Sequence, residues 1–269
     1  MALLDTLPED ASPVSVSQAG LIRLSGPARA IALDVLRVNS LQTGAYVSHF
    51  RGRGMEFDES RIYLPGDDIR SMDWKVTART GEAQTKVFRE ERERPVLLWL
   101  DLNASMFFAT RGAFKSVIAT KAASLLAWSA ATNNDRVGAL VFSAASSSDC
   151  HSEIRPKRGK SAALDFIRRT CDHPAWNNGH TSTHPRNMSL SMSRLRKVTK
   201  PGSLIFLLSD FREMDKQAKN HLINIARHND IVLVKIFDPV EKTLPATGNY
   251  KVSDGVNEIP LHTSSKKLR

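Results

Sequence analysis

The chain has 269 residues, of which 41% are apolar and 25% charged, and a formal net charge of +10 at pH 7. These values are typical of a soluble globular protein with room for one large α/β domain and a small appendage. No apolar run approaches the ~20 residues that cross a bilayer, and the acidic, proline-containing amino terminus is not a secretory signal. Because Cys150 and Cys171 form no CxxC pair, we predict no disulfide framework and expect a cytoplasmic protein with reduced thiols.

The amino-terminal third of the chain is predicted to be polar and only partly regular. Residues 1–20 are rich in serine, proline and small residues, which favours a flexible tail. Residues 27–38 carry apolar side chains at helical spacing, and Pro27 suits the first turn of an amphipathic helix. Strands are predicted over 56–64 and 84–91, with a turn at 65–68.

From residue 95 onward, apolar strands alternate with helices. The predicted strands span 96–100, 135–143, 151–156, 203–208 and 231–237. The predicted helices span 114–132, 161–171, 186–198 and 213–228, and a hairpin follows over 249–260. This alternation predicts a parallel sheet with right-handed crossovers.

One change in composition, near residue 95, marks a predicted domain boundary, because the chain is polar before it and regular after it. We therefore predict a flexible tail over 1–20, a helix and β-rich segment over 21–94, an α/β domain over 95–240, and carboxyl-terminal strands with a basic tail over 241–269.

Oxygen-bearing side chains follow two of the buried strands. Asp101, Asn103 and Ser105 come directly after the run Val96–Leu100, and Asp210 follows a similar run at 203–208. In open α/β sheets, ligands bind beyond the carboxyl ends of the strands, so these side chains should share one edge. Mg²⁺ prefers oxygen ligands, and the loop 178–183 (NGHTST) offers further hydroxyls. The sequence therefore predicts a divalent-metal site formed by Asp101, Asn103, Ser105, Thr181 and Asp210.

These residues resemble a known pattern. The order Asp-x-Asn-x-Ser, a distant threonine and a later Ser-Asp is similar to the metal-ion-dependent adhesion site of von Willebrand factor type A domains. Residues 51–93, which include GDDIRSMDWKVTAR, resemble the signature of domain-of-unknown-function family 58 (DUF58). The resemblance covers most of the chain, from about residue 30 to 260.

The resemblance implies a fold, a metal and a partner. The fold would be a von Willebrand A-like, Rossmann-type sheet, mainly parallel and flanked by helices, with a small β-rich element before it. The partner would be a MoxR-type AAA+ ATPase, acting with this protein in chaperone-like maturation of client proteins. The metal would be Mg²⁺ with open coordination positions that an acidic side chain of a partner completes. The expected protein is therefore a non-enzymatic binding module.

The chain departs from the von Willebrand pattern at two positions. Asn103 stands where the pattern has serine, and its amide oxygen can ligate a metal although the side chain has no hydroxyl. Phe211 stands where glycine usually follows the last acid. Thr181 fits the loop threonine best, with Ser182 and Thr183 as alternatives. These departures bear on metal affinity rather than on the fold.

Two other functions remain open from the sequence. Asp101 and Asp210 could form the metal centre of a phosphoesterase, although no base or nucleophile stands near them in the sequence. The basic clusters 155–160 and 194–200 could bind nucleic acid, but they lack interleaved aromatics for base stacking, so solvated faces or an acidic partner are favoured. The chain also lacks a complete phosphate-binding loop, a dinucleotide fingerprint and a hydrolase nucleophile elbow.

The charged segment 67–79 has two interpretations. Its aspartates, Trp74 and its arginines could form a recognition surface, or they could hold an irregular loop in shape. We favour the second interpretation, because many oppositely charged groups in one loop usually pair with each other.

Overall fold

The computed structural model describes residues 12–33, 55–90, 95–143, 151–178, 188–243, 246–253 and 258–263. The chain divides into two compact units, one comprising residues 1–38 and 94–269 and the other residues 39–93. In the part of the chain that is described, no helix combines the length and apolar character needed to cross a membrane.

The α-helices are α1 (Gln18–Arg23), α2 (Trp74–Thr80), α3 (Lys115–Thr132), α4 (Lys160–Cys171), α5 (Ala175–Asn178), α6 (Met188–Val198), α7 (Lys216–Ala226) and α8 (Pro239–Lys242). The strands are β1 (Met55–Ile62), β2 (Gln84–Glu90), β3 (Pro95–Asp101), β4 (Arg136–Phe142), β5 (His151–Arg158), β6 (Leu204–Ser209), β7 (Asp230–Lys235), β8 (Asn249–Ser253) and β9 (Glu258–His262). Short 3-10 helices occupy Pro27–Ala30, Ile69–Ser71 and Ala104–Met106.

A five-stranded sheet forms the centre of the large unit, in the order β5-β4-β3-β6-β7. Strands β3, β4, β6 and β7 are parallel, and β5 pairs with β4 in the antiparallel direction. The connection from β4 to β5 is too short for the crossover that parallel neighbours need, which explains the reversed direction of β5. The prediction of a mainly parallel sheet flanked by helices is confirmed.

The central strand β3 supplies side chains to a core on each face of the sheet. Leu98 and Leu100 belong to the core covered by α3 and α4. Leu97 and Trp99 belong to the core on the other face, covered by α6 and α7. Successive side chains of a strand point to opposite faces, so a strand buried on both sides needs an unbroken apolar run. This requirement accounts for the sequence of β3.

The amino-terminal segment packs on the large unit. The Nε1 of Trp128 donates to the carbonyl of Leu21 at 3.1 Å, and the hydroxyl of Ser129 donates to the carbonyl of Ile31 at 2.7 Å. Leu21 is also a member of the core beneath α3. The observed division of the chain therefore differs from the predicted segment 21–94, because the apolar side chains of 21–33 are buried with the large sheet rather than with the β-rich segment.

The local structure at this end also differs from the prediction. Helix α1 begins inside the predicted tail, where the Ser17 hydroxyl accepts from the backbone N–H of Gly20. In place of a helix from residue 27, the chain forms one 3-10 turn and then becomes extended at Ile31. Residues 34–38 lie outside the described residues.

The small unit contains the antiparallel pair β1–β2, with a 3-10 turn and α2 inserted between the strands. Asp73 caps α2 by accepting from the N–H groups of Lys75 and Val76, both at 3.2 Å. Asp67 pairs with the guanidinium of Arg61 at 2.7 Å. The aspartates of segment 67–79 thus hold the loop in shape, as the favoured interpretation expected.

A second antiparallel pair, β8–β9, ends the described chain. Its two strands confirm the predicted hairpin over 249–260. Residues 254–257, between these two strands, lie outside the described residues.

Gly138 of β4 gives a test of the packing at the β5 edge. A Cβ atom at this position would lie 2.8 Å from Cγ of Pro156, 2.9 Å from Cδ2 of Leu97 and 3.0 Å from the carbonyl oxygen of Ile154. We expect Gly138→Ala to lower the free energy of unfolding by about 1–3 kcal/mol, because the two neighbouring strands must move apart. Urea denaturation measures the change.

The control for this experiment is Gly26→Ala, where the nearest atom to a new Cβ is 3.9 Å away. We expect this change to leave stability within about 0.5 kcal/mol of the unmodified protein or slightly above it. Equal effects of the two substitutions would contradict the packing argument.

Candidate functional site

The strand order places the candidate site at the centre of the sheet. The chain leaves β3 through α3 and pairs β4 on one side of β3, whereas β6 later pairs on the other side. The direction of winding therefore changes between β3 and β6, and open α/β sheets bind their ligands at such a point, beyond the carboxyl ends of the strands. Asp101 ends β3, and Asp210 directly follows β6. The two predicted acids thus lie at the same edge, on adjacent strands.

Asp101 is held by hydrogen bonds from both strands. Its side chain is buried; Oδ1 accepts from the backbone N–H of Asn103 at 2.9 Å, and Oδ2 accepts from the hydroxyl of Ser209 at 2.6 Å. The oxygen of that hydroxyl accepts from the N–H of Phe211 at 2.9 Å. Ser209 therefore connects the first acid to the loop that carries the second.

Phe211 adopts a left-handed backbone conformation, with φ of 56°. This conformation favours glycine, which is the residue that the von Willebrand pattern has at this position. The residue after Asp210 therefore holds a backbone conformation that residues other than glycine rarely adopt.

Asp210 is paired with a buried lysine. Its Oδ2 lies 2.9 Å from Nζ of Lys115, and both side chains are only 3% exposed. Its Oδ1 accepts from the N–H of Arg212 at 3.2 Å, and the Ser105 hydroxyl also donates to this carboxylate. Burial alone would raise the pKa of Asp210, but these hydrogen bonds and the positive charge of Lys115 outweigh it and hold the pKa below its usual value.

The same lysine contacts a second carboxylate. Nζ of Lys115 lies 2.7 Å from Oε1 of Glu241, and the guanidinium of Arg212 lies 3.0 Å from the same oxygen. Glu241 belongs to the capping box of α8, in which Asp238 is the N-cap. The loop after β7 is therefore joined to the loop after β6 through Lys115.

Asp238, the N-cap of α8, binds the loop that follows β3. Its carboxylate accepts from the backbone N–H of Thr110 at 2.7 Å and from the Thr110 hydroxyl at 2.6 Å. Burial would raise the pKa of Asp238, but its hydrogen bonds with Thr110 and the N–H of Val240 lower it below the usual value. The loops after β3, β6 and β7 thus form one connected rim at the carboxyl edge of the sheet.

Asn103 is the unusual member of the edge. The residue is 1% exposed, yet within the described ranges neither its Oδ1 nor its Nδ2 has a hydrogen-bond partner. Leaving a buried polar group unpaired costs about 1–3 kcal/mol, so such a group in a native structure requires an explanation. An ion, a water molecule or a ligand that contacts the amide would satisfy it.

The structure thus brings four of the five predicted residues to one edge: Asp101, Asn103, Ser105 and Asp210. Thr181 and its alternatives Ser182 and Thr183 lie outside the described residues.

The donor set fits an oxygen-preferring divalent cation. Asp101 supplies a carboxylate, Asn103 an unpaired amide oxygen and Ser105 a hydroxyl, which are ligand types suited to Mg²⁺. No group of three or more histidine, cysteine, aspartate or glutamate side chains that could hold a metal occurs among the described residues. This finding does not conflict with the predicted site, whose donors are two carboxylates and neutral oxygens.

Lys115, Ser209 and Glu241 belong to this edge but were absent from the sequence prediction. The position of Glu241 at the start of a helix could have been predicted, because Asp238-Pro239-Val240-Glu241 has the spacing of a capping box. Lys115 begins a helix whose next turns are apolar and small, but nothing in the sequence shows which acids it meets.

Ser209 offers a test of this arrangement. Ser209→Ala removes the hydroxyl that donates to Asp101 and accepts from Phe211. We expect the free energy of unfolding to fall by about 1–3 kcal/mol, because a buried carboxylate loses one of its donors. Denaturant melts monitored by circular dichroism measure the loss.

The matched control is Ser116→Ala on α3. Ser116 is buried as well, but its hydroxyl has no hydrogen-bond partner among the residues described. We expect this substitution to be neutral or slightly stabilising. A loss at Ser116 as large as that at Ser209 would show that burial, and not the bond to Asp101, determines the effect.

Comparison with known proteins agrees with the resemblance seen in the amino-terminal signature. Uncharacterized proteins of Mycobacterium bovis and Mycobacterium tuberculosis are 26% identical to this chain over 259 residues, covering 93% of it and 79% of each relative. The crystal structure of an aerotolerance-related membrane protein from Bacteroides fragilis matches with a TM-score of 0.42 and 14% identity, over 63% of this chain and 81% of that one. The model of the family described as "Protein of unknown function DUF58" matches residues 59–269. Since this match spans most of the chain, including the candidate site, the protein belongs to the DUF58 family.

Proposed function

We propose that this protein is a non-enzymatic, cytoplasmic protein-binding module whose recognition site is the carboxyl edge of the large sheet. The observation that carries the proposal is the buried amide of Asn103, which has no partner among the described residues and stands between Asp101 and Ser105. An edge built for structure alone would pair this amide, because an unpaired buried group lowers stability. An edge built to accept a ligand leaves it open.

A Mg²⁺ ion at this edge would be held by the predicted set of ligands, which are Asp101, Asn103, Ser105, Thr181 and Asp210. When bound, the ion supplies an open coordination position that a carboxylate of a partner protein completes. Ser209 and the N–H of Asn103 orient the carboxylate of Asp101 for this role. Hydrogen bonds of this kind fix a metal-ligating side chain and tune its affinity.

The partner we propose is a MoxR-type AAA+ ATPase, with which the protein acts in chaperone-like maturation of client proteins. Membership of the DUF58 family and the von Willebrand-like order of Asp101, Asn103, Ser105 and Asp210 support this choice.

Magnesium should stabilise the protein through this site. At a Mg²⁺ concentration about 100-fold above the dissociation constant, we expect the free energy of unfolding to rise by about 2.7 kcal/mol. Asp101→Ala should abolish this increase, whereas Asn103→Ser, which introduces the serine of the von Willebrand pattern, should preserve it. Thermal melts with magnesium and with chelator measure both effects.

The control is Asp165→Ala, which removes a carboxylate on α4 that pairs with Arg168 and Arg169 away from the edge. This variant should keep the full magnesium effect. If magnesium fails to stabilise the unmodified protein, or stabilises Asp101→Ala equally, the metal part of the proposal is wrong.

The partner is tested by binding to the purified MoxR-type ATPase of the same organism. We expect binding in magnesium, loss of at least about tenfold in affinity in chelator, and an equal loss in Asp101→Ala with magnesium present. Surface plasmon resonance with the full chain immobilised measures the three affinities. Tight binding that neither chelator nor Asp101→Ala affects would assign the contact to another surface.

A further inference from the structure

We infer that Lys115 sets the cation affinity of the carboxyl edge, because its ammonium competes for Asp210 and Glu241 holds that ammonium when Asp210 is engaged elsewhere. The inference rests on the proposed metal site and adds to it a residue outside the predicted ligand set.

The starting observation is a buried ammonium shared by two carboxylates. Nζ of Lys115 lies 2.9 Å from Asp210 and 2.7 Å from Glu241, and its side chain is 3% exposed. A buried ammonium loses the water that would solvate it, so it needs charged partners close by. The ring of Phe108, whose centroid is 5.9 Å from Nζ, adds a weaker favourable contact.

The position of Asp210 makes the ammonium of Lys115 a competitor of any cation that binds at this edge. The carboxylate of Asp210, which would bind a cation at the edge, is already in direct contact with the ammonium of Lys115. A second cation nearby meets repulsion from the ammonium, and this repulsion is strong where water is excluded. Binding of a divalent ion therefore requires the Lys115–Asp210 pair to weaken.

Glu241 allows Lys115 to release Asp210 and still keep a carboxylate partner. Its carboxylate has contacts besides Lys115: Oε2 accepts from the N–H of Asp238 at 3.3 Å, and Oε1 lies 3.0 Å from the guanidinium of Arg212, whose Nε is also 3.9 Å from Asp210. If Asp210 turns toward a cation, Lys115 keeps a bound carboxylate at 2.7 Å. The ammonium is then not left buried without a partner, which would be strongly unfavourable.

The arrangement leads to opposite effects of two substitutions. Lys115→Met removes the competing charge and keeps an unbranched apolar side chain, so magnesium should bind at least about tenfold more tightly. Glu241→Gln removes the alternative carboxylate, so the ammonium depends more on Asp210 and magnesium should bind at least about threefold more weakly.

A double-mutant cycle isolates the coupling between the two residues. In the Lys115→Met background, Glu241→Gln should change magnesium affinity by no more than about twofold, because no ammonium remains for Glu241 to hold. If Glu241 acts instead as a metal ligand or by its charge alone, the substitution should weaken binding equally in both backgrounds.

The test is isothermal titration of the full chain with magnesium chloride, repeated with manganese, for the unmodified protein, both single variants and the double variant. Lys121→Met is the matched control, since Lys121 lies on the same helix and is only partly buried. It should leave the affinity unchanged. Circular dichroism establishes that each variant is folded, and Glu241→Gln keeps the test decisive if Lys115→Met is unstable, because its Lys115 is still paired with Asp210.

The outcomes separate this inference from the proposed function. Equal magnesium affinity in the unmodified protein, Lys115→Met and Glu241→Gln would overturn the role of Lys115 and leave the metal site standing. Weaker binding in Lys115→Met would overturn it as well. Absence of binding in every variant would refute the metal site itself, and the inference with it.

Discussion

The carboxyl edge depends on the burial of one ammonium group between two carboxylates. Lys115 begins the helix that follows the central strand, Asp210 follows the neighbouring strand, and Glu241 belongs to the helix after the next strand. Three loops that are distant in sequence are therefore fixed by one charge. The desolvation of these groups is compensated by the contacts between them, so the loops form a rim as a unit.

The sheet beneath this rim determines where the acidic side chains lie. Asp101 lies where the winding direction changes between β3 and β6, with its carboxylate oriented by Ser209 and by the N–H of Asn103. Within this otherwise well-paired arrangement, the described residues leave the amide of Asn103 without a partner. At this edge, the amide therefore contrasts with the paired carboxylates of Asp101 and Asp210.

The fold of residues 95–263 was largely predictable, and parts of the site were not. The apolar run of β3 and the matching run of β6 predicted buried parallel strands, since only strands covered on both faces need such runs. The positions of Asp101 and Asp210 followed from the shared edge of parallel strands. Lys115 and Glu241 could not be predicted to meet, because their contact depends on how two loops pack and leaves no periodic pattern in the sequence.

In the amino-terminal segment, the sequence pattern predicted a helix that the structure does not form. Residues 27–38 have helical apolar spacing, but the chain turns once and becomes extended at Ile31, whose carbonyl accepts from Ser129. Tertiary packing there overrides the local preference for a helix. In contrast, the aspartates of the small unit act locally, as caps and as a partner for Arg61, so their role could be anticipated from their spacing.

Strand β5 has a consequence for the solubility of the protein. It is one of the two outer strands of the large sheet, and an outer strand exposes backbone groups that can pair with another chain. Pro156 has no N–H to offer, and Arg155 and Lys157 place positive charges on either side of it. The basic cluster 155–160, which resembles a binding patch in the sequence, is thus also suited to keep copies of this protein from joining edge to edge.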